Sequence, residues 1–256
     1  MRVSPVVVAG LLTLVAGCES APAAAPEAAA VRVLSSNGVK GVIDDVRPEI
    51  ERAIGRPLSI EFSTSAALKT KIEQGEAFDV AILTPAIVDE LVKEGKIAPG
   101  SSVNVARSGV GVGAREGAPR TDVSTPDALK RALLDANKVA FTAEGQSRAT
   151  IDRTFDRLGI ADAMRPKVML LGPAGGPAAV ARGEADLTLT LVSEIIPIPG
   201  VQLLGPLPGD LQSYVSFAAG RGANAKDREA ADALLRQLSG SVVTSALEAH
   251  GMEAVE

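Results

Sequence analysis

The chain predicts an α/β protein of two lobes, each a mostly parallel sheet flanked by helices, and three observations carry that reading. Short apolar runs of strand type alternate with helical patterns from Val31 onward, the mark of layered α/β folds. Of 256 residues, 46% are hydrophobic but only 2% are aromatic and Trp is absent, so the core is built from Ala, Val, Leu and Ile. Such residues suit helices packed closely on parallel strands. Third, two short runs close together, Val103 to Ala106 and Val110 to Val112, separate one series of alternating segments from a second in the same style.

Taken in order, the first series has a strand at Val31 to Leu34, a helix at Val39 to Ile54, a strand at Leu58 to Phe62 and a helix at Ala66 to Gln74. A strand at Val80 to Leu83 and a helix at Pro85 to Glu94 complete it. The second has helix Thr125 to Ala136, strand Lys138 to Thr142, helix Arg148 to Leu158, strand Lys167 to Leu171, helix Ala174 to Arg182 and strand Ala185 to Leu191. Val201 to Leu204 and the alternating Ser213 to Ala219 carry the chain back, and helices Ala225 to Ser239 and Ser241 to His250 finish on the first lobe. Crossings near Gly109 to Ala114 and Leu211 to Ala218 make a hinge. The expected division is residues 31–110 plus 215–256 in lobe 1 and residues 111–214 in lobe 2.

Before the body, residues 1–17 read as a secretory signal: Arg2, then an apolar core from Val6 to Ala16 too short to remain as a membrane span. The run Leu14-Val15-Ala16-Gly17-Cys18 resembles the lipobox of bacterial lipoproteins, which implies that Cys18, the only cysteine, becomes a lipidated N-terminus. Residues 18–30 are then an Ala/Pro-rich tether that holds the body to a membrane, in the periplasm or at the cell surface. The formal charge of −5 becomes −6 once Arg2 is removed, with 25 basic against 31 acidic residues, which excludes a nucleic-acid binder. One Cys and one His exclude disulfides and a Cys/His metal site, and no cofactor is expected.

In α/β sheets, ligands sit beyond the carboxyl ends of the strands, where helix N-termini offer free N–H groups. Four such junctions are rich in hydroxyls and glycine: Ser35-Ser36-Asn37-Gly38, Ser63-Thr64-Ser65, Ala143-Glu144-Gly145-Gln146-Ser147 and Gly172-Pro173-Ala174-Gly175-Gly176. Each alone suits a helix cap. Together, two from each lobe, they suit a cage for a small anion. Lys40, Lys69 and Arg148 fall near helix starts, where a bound anion would offset their clash with the helix dipole. The alternative is that they face solvent, Arg148 pairing with Asp152. In the cleft, the planar Arg148 fork would favour a carboxylate. His250 suits a cap or surface role, and Asp79 is either a surface carboxylate or an acceptor that fixes the lobe. The glycines at 172, 175 and 176 lack the Lys-Ser/Thr pair of a phosphate loop.

The stretch Leu68-Lys69-Thr70-Lys71-Ile72-Glu73-Gln74-Gly75, then Phe78-Asp79-Val80-Ala81-Ile82-Leu83 and Gly95-Lys96-Ile97, resembles the molybdate-binding proteins of ABC transporters. Leu158-Gly159-Ile160, Arg182-Gly183-Glu184-Ala185-Asp186 and Glu248-Ala249-His250-Gly251 follow in the matching order. The resemblance implies a type II periplasmic binding protein, monomeric, whose lobes close on ligand and which hands it to an ABC permease. It implies ligand contacts at Ser35, Ser36, Asn37 and Gly38, at Ser65, at Gln146 and Ser147 beside Arg148, and at Pro173 and Thr190. Three positions depart from the family. Gly38 stands at the first serine, Pro173 lacks the donor N–H, and Leu191 stands at the tyrosine. A small carboxylate therefore competes with a molybdate-like oxyanion. Aconitate isomerase is also similar to molybdate-binding proteins, so the alternative is an isomerase of a small polycarboxylate, with Arg148 as clamp and Glu144 as base. A third reading is a lipoprotein sensor.

Overall fold

The structure, a computed structural model, describes Met1 and residues 29–255. The expected signal, Cys18 and most of the tether lie outside the described residues. β1 (Val31–Ser36) precedes a short 3-10 turn at Asn37–Val39 and α1 (Lys40–Ile54). β2 (Leu58–Ser63), α2 (Ser65–Glu73), β3 (Val80–Leu83) and α3 (Pro85–Lys93) follow. α1 forms because Val42, Ile43, Val46 and Ile50 make one apolar stripe, all buried. Pro48 lies on its exposed side, where water can reach the carbonyl that the missing N–H leaves free.

Next comes β4 (Val103–Arg115), one strand of 13 residues where two short runs were expected. Its polar middle, Arg107-Ser108-Gly109, remains extended because Ser108 is buried with its hydroxyl bonded to the Gly251 carbonyl at 3.3 Å. The second series is α4 (Pro126–Asp135), β5 (Val139–Thr142), α5 (Arg148–Leu158), α6 (Ala161–Met164), β6 (Val168–Leu171), α7 (Gly175–Ala181) and β7 (Leu187–Leu191). It closes with α8 (Val192–Ile195) and β8 (Val201–Pro206). β9 (Tyr214–Arg221), α9 (Arg228–Leu238), α10 (Ser241–Ala246) and β10 (Met252–Glu253) complete the chain. α6 and α8 were not expected, being single turns too short to show a period.

The strand order is β2-β1-β3-β9-β4-β7-β5-β6, with β8 and β10 also pairing with β4. β1 runs parallel to β2 and β3, and β5 runs parallel to β6 and β7. β4 joins the two sets by changing partners: Val103 to Gly109 lie along β9, while Val110 to Ala114 lie along β7. Near the change, glycine alternates with valine. A Cβ on Gly111 would stand 2.8 Å from Val192 Cγ2, and one on Gly113 would stand 3.0 Å from Ile195 Cγ2. The bare strand face is what lets α8 lie flat on β4.

Asp79 turns out to be the lobe-fixing acceptor. It is 5% exposed, its carboxylate accepts from the backbone N–H of Arg32 at 2.9 Å and of Lys226 at 2.7 Å, and so it joins the start of β1 to the turn before α9.

Candidate functional site

The parallel strands of each lobe point their carboxyl ends at the other lobe. Where they meet, Gly38 at the end of β1 lies against Leu191 at the end of β7: a Cβ on Gly38 would fall 3.0 Å from Leu191 Cδ1 and 2.2 Å from Phe217 Cζ. One turn on, the buried Ser193 hydroxyl of α8 donates to the Gly38 carbonyl at 2.7 Å, and the Ser193 N–H donates to Ser108 Oγ at 3.2 Å. This chain of bonds ties β1, the partner change in β4 and α8 together. Replacing Ser193 with Ala leaves the Gly38 carbonyl buried and unpaired, an expected loss of about 1–3 kcal/mol of stability in urea unfolding. A change below about 0.5 kcal/mol, the range of an ordinary surface substitution, would show that this bond does not hold the junction.

From lobe 1, Ser35 and Ser36 sit in register with Phe62 and Ser63, so the β1 and β2 junctions are neighbours. Ser36 Oγ accepts from Gly38 N–H at 3.5 Å, and Ser35 Oγ donates to the Ser36 carbonyl at 3.3 Å. Both serines are buried, and Asn37 is half-buried. Thr64, not Ser65, caps α2, accepting from Ala67 N–H at 3.2 Å. The Ser65 hydroxyl is fully buried and bonds to no protein group among the described residues. Buried hydroxyls are normally paired, which marks this one.

From lobe 2, Thr142 stands opposite Leu171, so the loops holding Gln146 and Ser147 and holding Pro173 leave adjacent strands. Ser147 is buried, Gln146 half-buried and Pro173 exposed. Ala174 takes a left-handed φ of 57° to start α7. Thr190 is buried and its hydroxyl donates to the Glu194 carboxylate. Burial pushes the Glu194 carboxyl above the ordinary carboxylate range, although the Thr190 hydroxyl and the Leu191 N–H favour its charged form.

The three cations are engaged elsewhere. Arg148 donates to both oxygens of Asp152 at 2.9 and 2.8 Å and lies over the Phe141 ring at 5.5 Å, the solvent-side pairing weighed from sequence. Lys40 pairs with Asp44. Lys69 meets Glu73 at 2.8 Å and Glu90 at 3.2 Å, hydrogen bonds that hold its ammonium charged well above the ordinary lysine range. Glu144, the base considered for an isomerase, is exposed. Sequence reasoning missed Ser108, Ser193 and Glu194. The signal is in the sequence all the same: Ser193 and Glu194 follow directly on the apolar run that forms β7, another strand end with a hydroxyl and a carboxyl.

Hollows elsewhere are a poorer fit. One of about 490 Å³, lined by Arg32, Ser59, Asp79 and Lys226, opens at the amino ends of the lobe 1 strands, the side away from the junction loops. No group of three or more His, Cys, Asp or Glu among the described residues is placed to hold a metal ion.

A family model for bacterial extracellular solute-binding proteins matches residues 31–253, the whole two-lobe body. The chain belongs to that family. Membership places it outside the cytoplasm. Among solved structures, the periplasmic molybdate-binding protein of Azotobacter vinelandii is similar with a TM-score of 0.73 at 16% identity, covering 88% of this chain and 100% of that one. The sulfate-binding protein SubI of Mycobacterium tuberculosis is similar with a TM-score of 0.70 at 16% identity, covering 89% and 87%. The fold is therefore that of the type II periplasmic binding proteins. In sequence, an aconitate isomerase from a Pseudomonas species is 30% identical over 237 residues, 91% of this chain and 90% of that protein.

Proposed function

We propose that this chain captures a small polycarboxylate anion between its lobes and delivers it to an ABC permease, held at the membrane by a lipid on Cys18. The observation that carries this reading is the meeting of the two sets of strand carboxyl ends at Gly38, Leu191 and Ser193. Neutral donors of this kind bind anions without a compensating charge, because backbone N–H groups and hydroxyls at helix starts supply the partial positive potential. The unpaired Ser65 hydroxyl supports it further. Lys40 and Arg148 stand at the first residues of α1 and α5, each on an exposed partner that an anion can replace. Only on leaving Asp44 and Asp152 would they supply carboxylate clamps.

Polycarboxylate is favoured over tetrahedral oxyanions because the relative at 30% identity is named for aconitate, whereas the likeness to the molybdate and sulfate proteins is one of fold. The same relative favours a second reading, in which the bound polycarboxylate is isomerised rather than passed on. Thermal shift of the purified protein separates these ligands. Citrate, cis-aconitate or trans-aconitate at a hundred times its Kd is expected to add about 2.7 kcal/mol of native-state stability, with molybdate, tungstate and sulfate adding nothing. Shifts with the tetrahedral ions alone would move the assignment to oxyanions, and no shift with either class would end the anion reading.

A further inference from the structure

We infer that Glu194 is the proton-transfer group of the cleft, removing a proton from a bound unsaturated polycarboxylate and returning it at the far end of the same allyl unit. The inference rests on the polycarboxylate reading above and deepens its isomerase form.

Position is the first argument. Along β7 the side chains alternate, so Thr188 and Thr190 share a face. Thr188 Oγ1 lies 2.7 Å from where a Cβ on Gly176 would stand, which puts this face under the first turn of α7. Thr190 is one step nearer the strand end. The Thr190 hydroxyl donates to Glu194. Meanwhile Ser193, the residue before it, bonds to Gly38 of lobe 1. The Glu194 carboxyl thus stands at the carboxyl end of β7, held by Thr190 and the Leu191 N–H, on a helix that packs on β4, α1 and the turn at Asn37–Val39.

Chemistry is the second. An acid–base group must hold a proton and release it near working pH, which burial promotes for a carboxyl. Burial is what raises Glu194, and no charged neighbour contributes. On the elements packed against α8, Lys40 is paired with Asp44, Asp45 with His250 and Arg107 with Glu253, and Arg115 lies at the far end of β4 beside Gly183. The other charges of α1 lie in its later turns, and β7 and β8 carry none. Arg148 is a clamp in this scheme, and the exposed Glu144 has no part.

The step balances without a co-reactant. Glu194 carboxylate takes a proton from the methylene carbon, and that C–H electron pair forms a new C=C to the central carbon. The old double bond becomes a carbanion delocalised into its carboxylate, which takes the proton back from Glu194. Rotation about the single bonds of the intermediate decides whether the cis or trans isomer leaves.

The test uses cis-aconitate in D2O, followed by proton NMR, on the wild type and on Glu194→Gln. Gln keeps an acceptor for the Thr190 hydroxyl and the Leu191 N–H, so the helix start is preserved. The wild type is expected to form trans-aconitate, carrying deuterium at carbon in those turnovers in which the proton on Glu194 exchanges with solvent before its return, at a rate that rises with pH as Glu194 ionises. Glu194→Gln is expected to lose at least about a hundredfold in rate, while cis-aconitate still raises its melting temperature. Its fold is checked by the sign of a stability change. The native state keeps the Glu194 proton at pH values where the unfolded group, at 4.5, has lost it, so wild-type stability falls as pH rises above 4.5 through the native titration. Gln does not titrate, and its melting temperature gains on the wild type across that range. A wild type that binds cis-aconitate without conversion or deuterium uptake overturns the role of Glu194 and leaves the capture reading standing. Full activity in Glu194→Gln overturns it too, and failure of any polycarboxylate to bind overturns both.

Discussion

Replacing Asp79 with Ala is expected to remove about 2–4 kcal/mol of stability, a large share of what holds an ordinary domain folded. The reason is what the carboxylate leaves behind. Its two oxygens accept from Arg32 N–H at 2.9 Å and Lys226 N–H at 2.7 Å, and each donor, partly buried, keeps its desolvation cost when the acceptor goes. Asp79 also holds both strands by its own backbone, its N–H donating to the Arg32 carbonyl and its carbonyl accepting from Gly222 N–H, each at 2.8 Å. The substitution therefore loosens the amino ends of β1, β3 and the β9 exit at once. Asp79→Asn retains one carbonyl oxygen for one of the two N–H groups and is expected to cost about half as much. Urea unfolding measures both, and equal losses in the two variants would show that packing rather than hydrogen bonding sets the value. Because the staple sits far from the cleft, the surviving folded fraction is expected to bind ligand as the wild type does.

The fold was legible because its signals are local and repeated. α5 spans Arg148–Leu158 as expected, since Ile151, Phe155 and Leu158 recur at helical spacing and Gly159 follows to stop it. β3 is four buried apolar residues, Val80–Leu83, between an Asp and a Thr-Pro helix start. By contrast, β4 reads as two pieces because the sequence shows polarity at Arg107 and Ser108 but not the partner that buries Ser108. At the site, the hydroxyl-rich junctions are readable, as caps and ligand donors draw on the same residue types. Sequence could not say that Arg148 spends its fork on Asp152, because both choices are consistent with an Arg and an Asp four residues apart. Nor could it show Glu194 half-buried against Thr190, a property set by α8 lying on the glycine face of β4.

Replacing Gly38 with Ala is expected to have the largest effect on the cleft itself. The new Cβ would stand 2.2 Å from Phe217 Cζ, and Phe217 is fully buried, as is Leu191, so neither can swing aside without opening a void. The turn at Asn37–Val39 must move instead, and it carries the Ser36 and Asn37 groups and the carbonyl that Ser193 holds. Overpacking of this kind costs about 1–3 kcal/mol, and a displacement of the donors is expected to weaken polycarboxylate binding by at least about tenfold. The same contact explains the departure from the molybdate-binding pattern. A serine at position 38 has no room beside Phe217. Phe217→Leu, made in the Gly38→Ala background, frees the space of the ring edge and is expected to recover at least about 1 kcal/mol, a coupling typical of residues in contact. Stability by urea and affinity by calorimetry are to be read on both single variants and the pair. If Gly38→Ala alone binds as tightly as the wild type, the turn after β1 is not part of the binding surface, and the cleft has to be drawn from Ser65 and the lobe 2 loops.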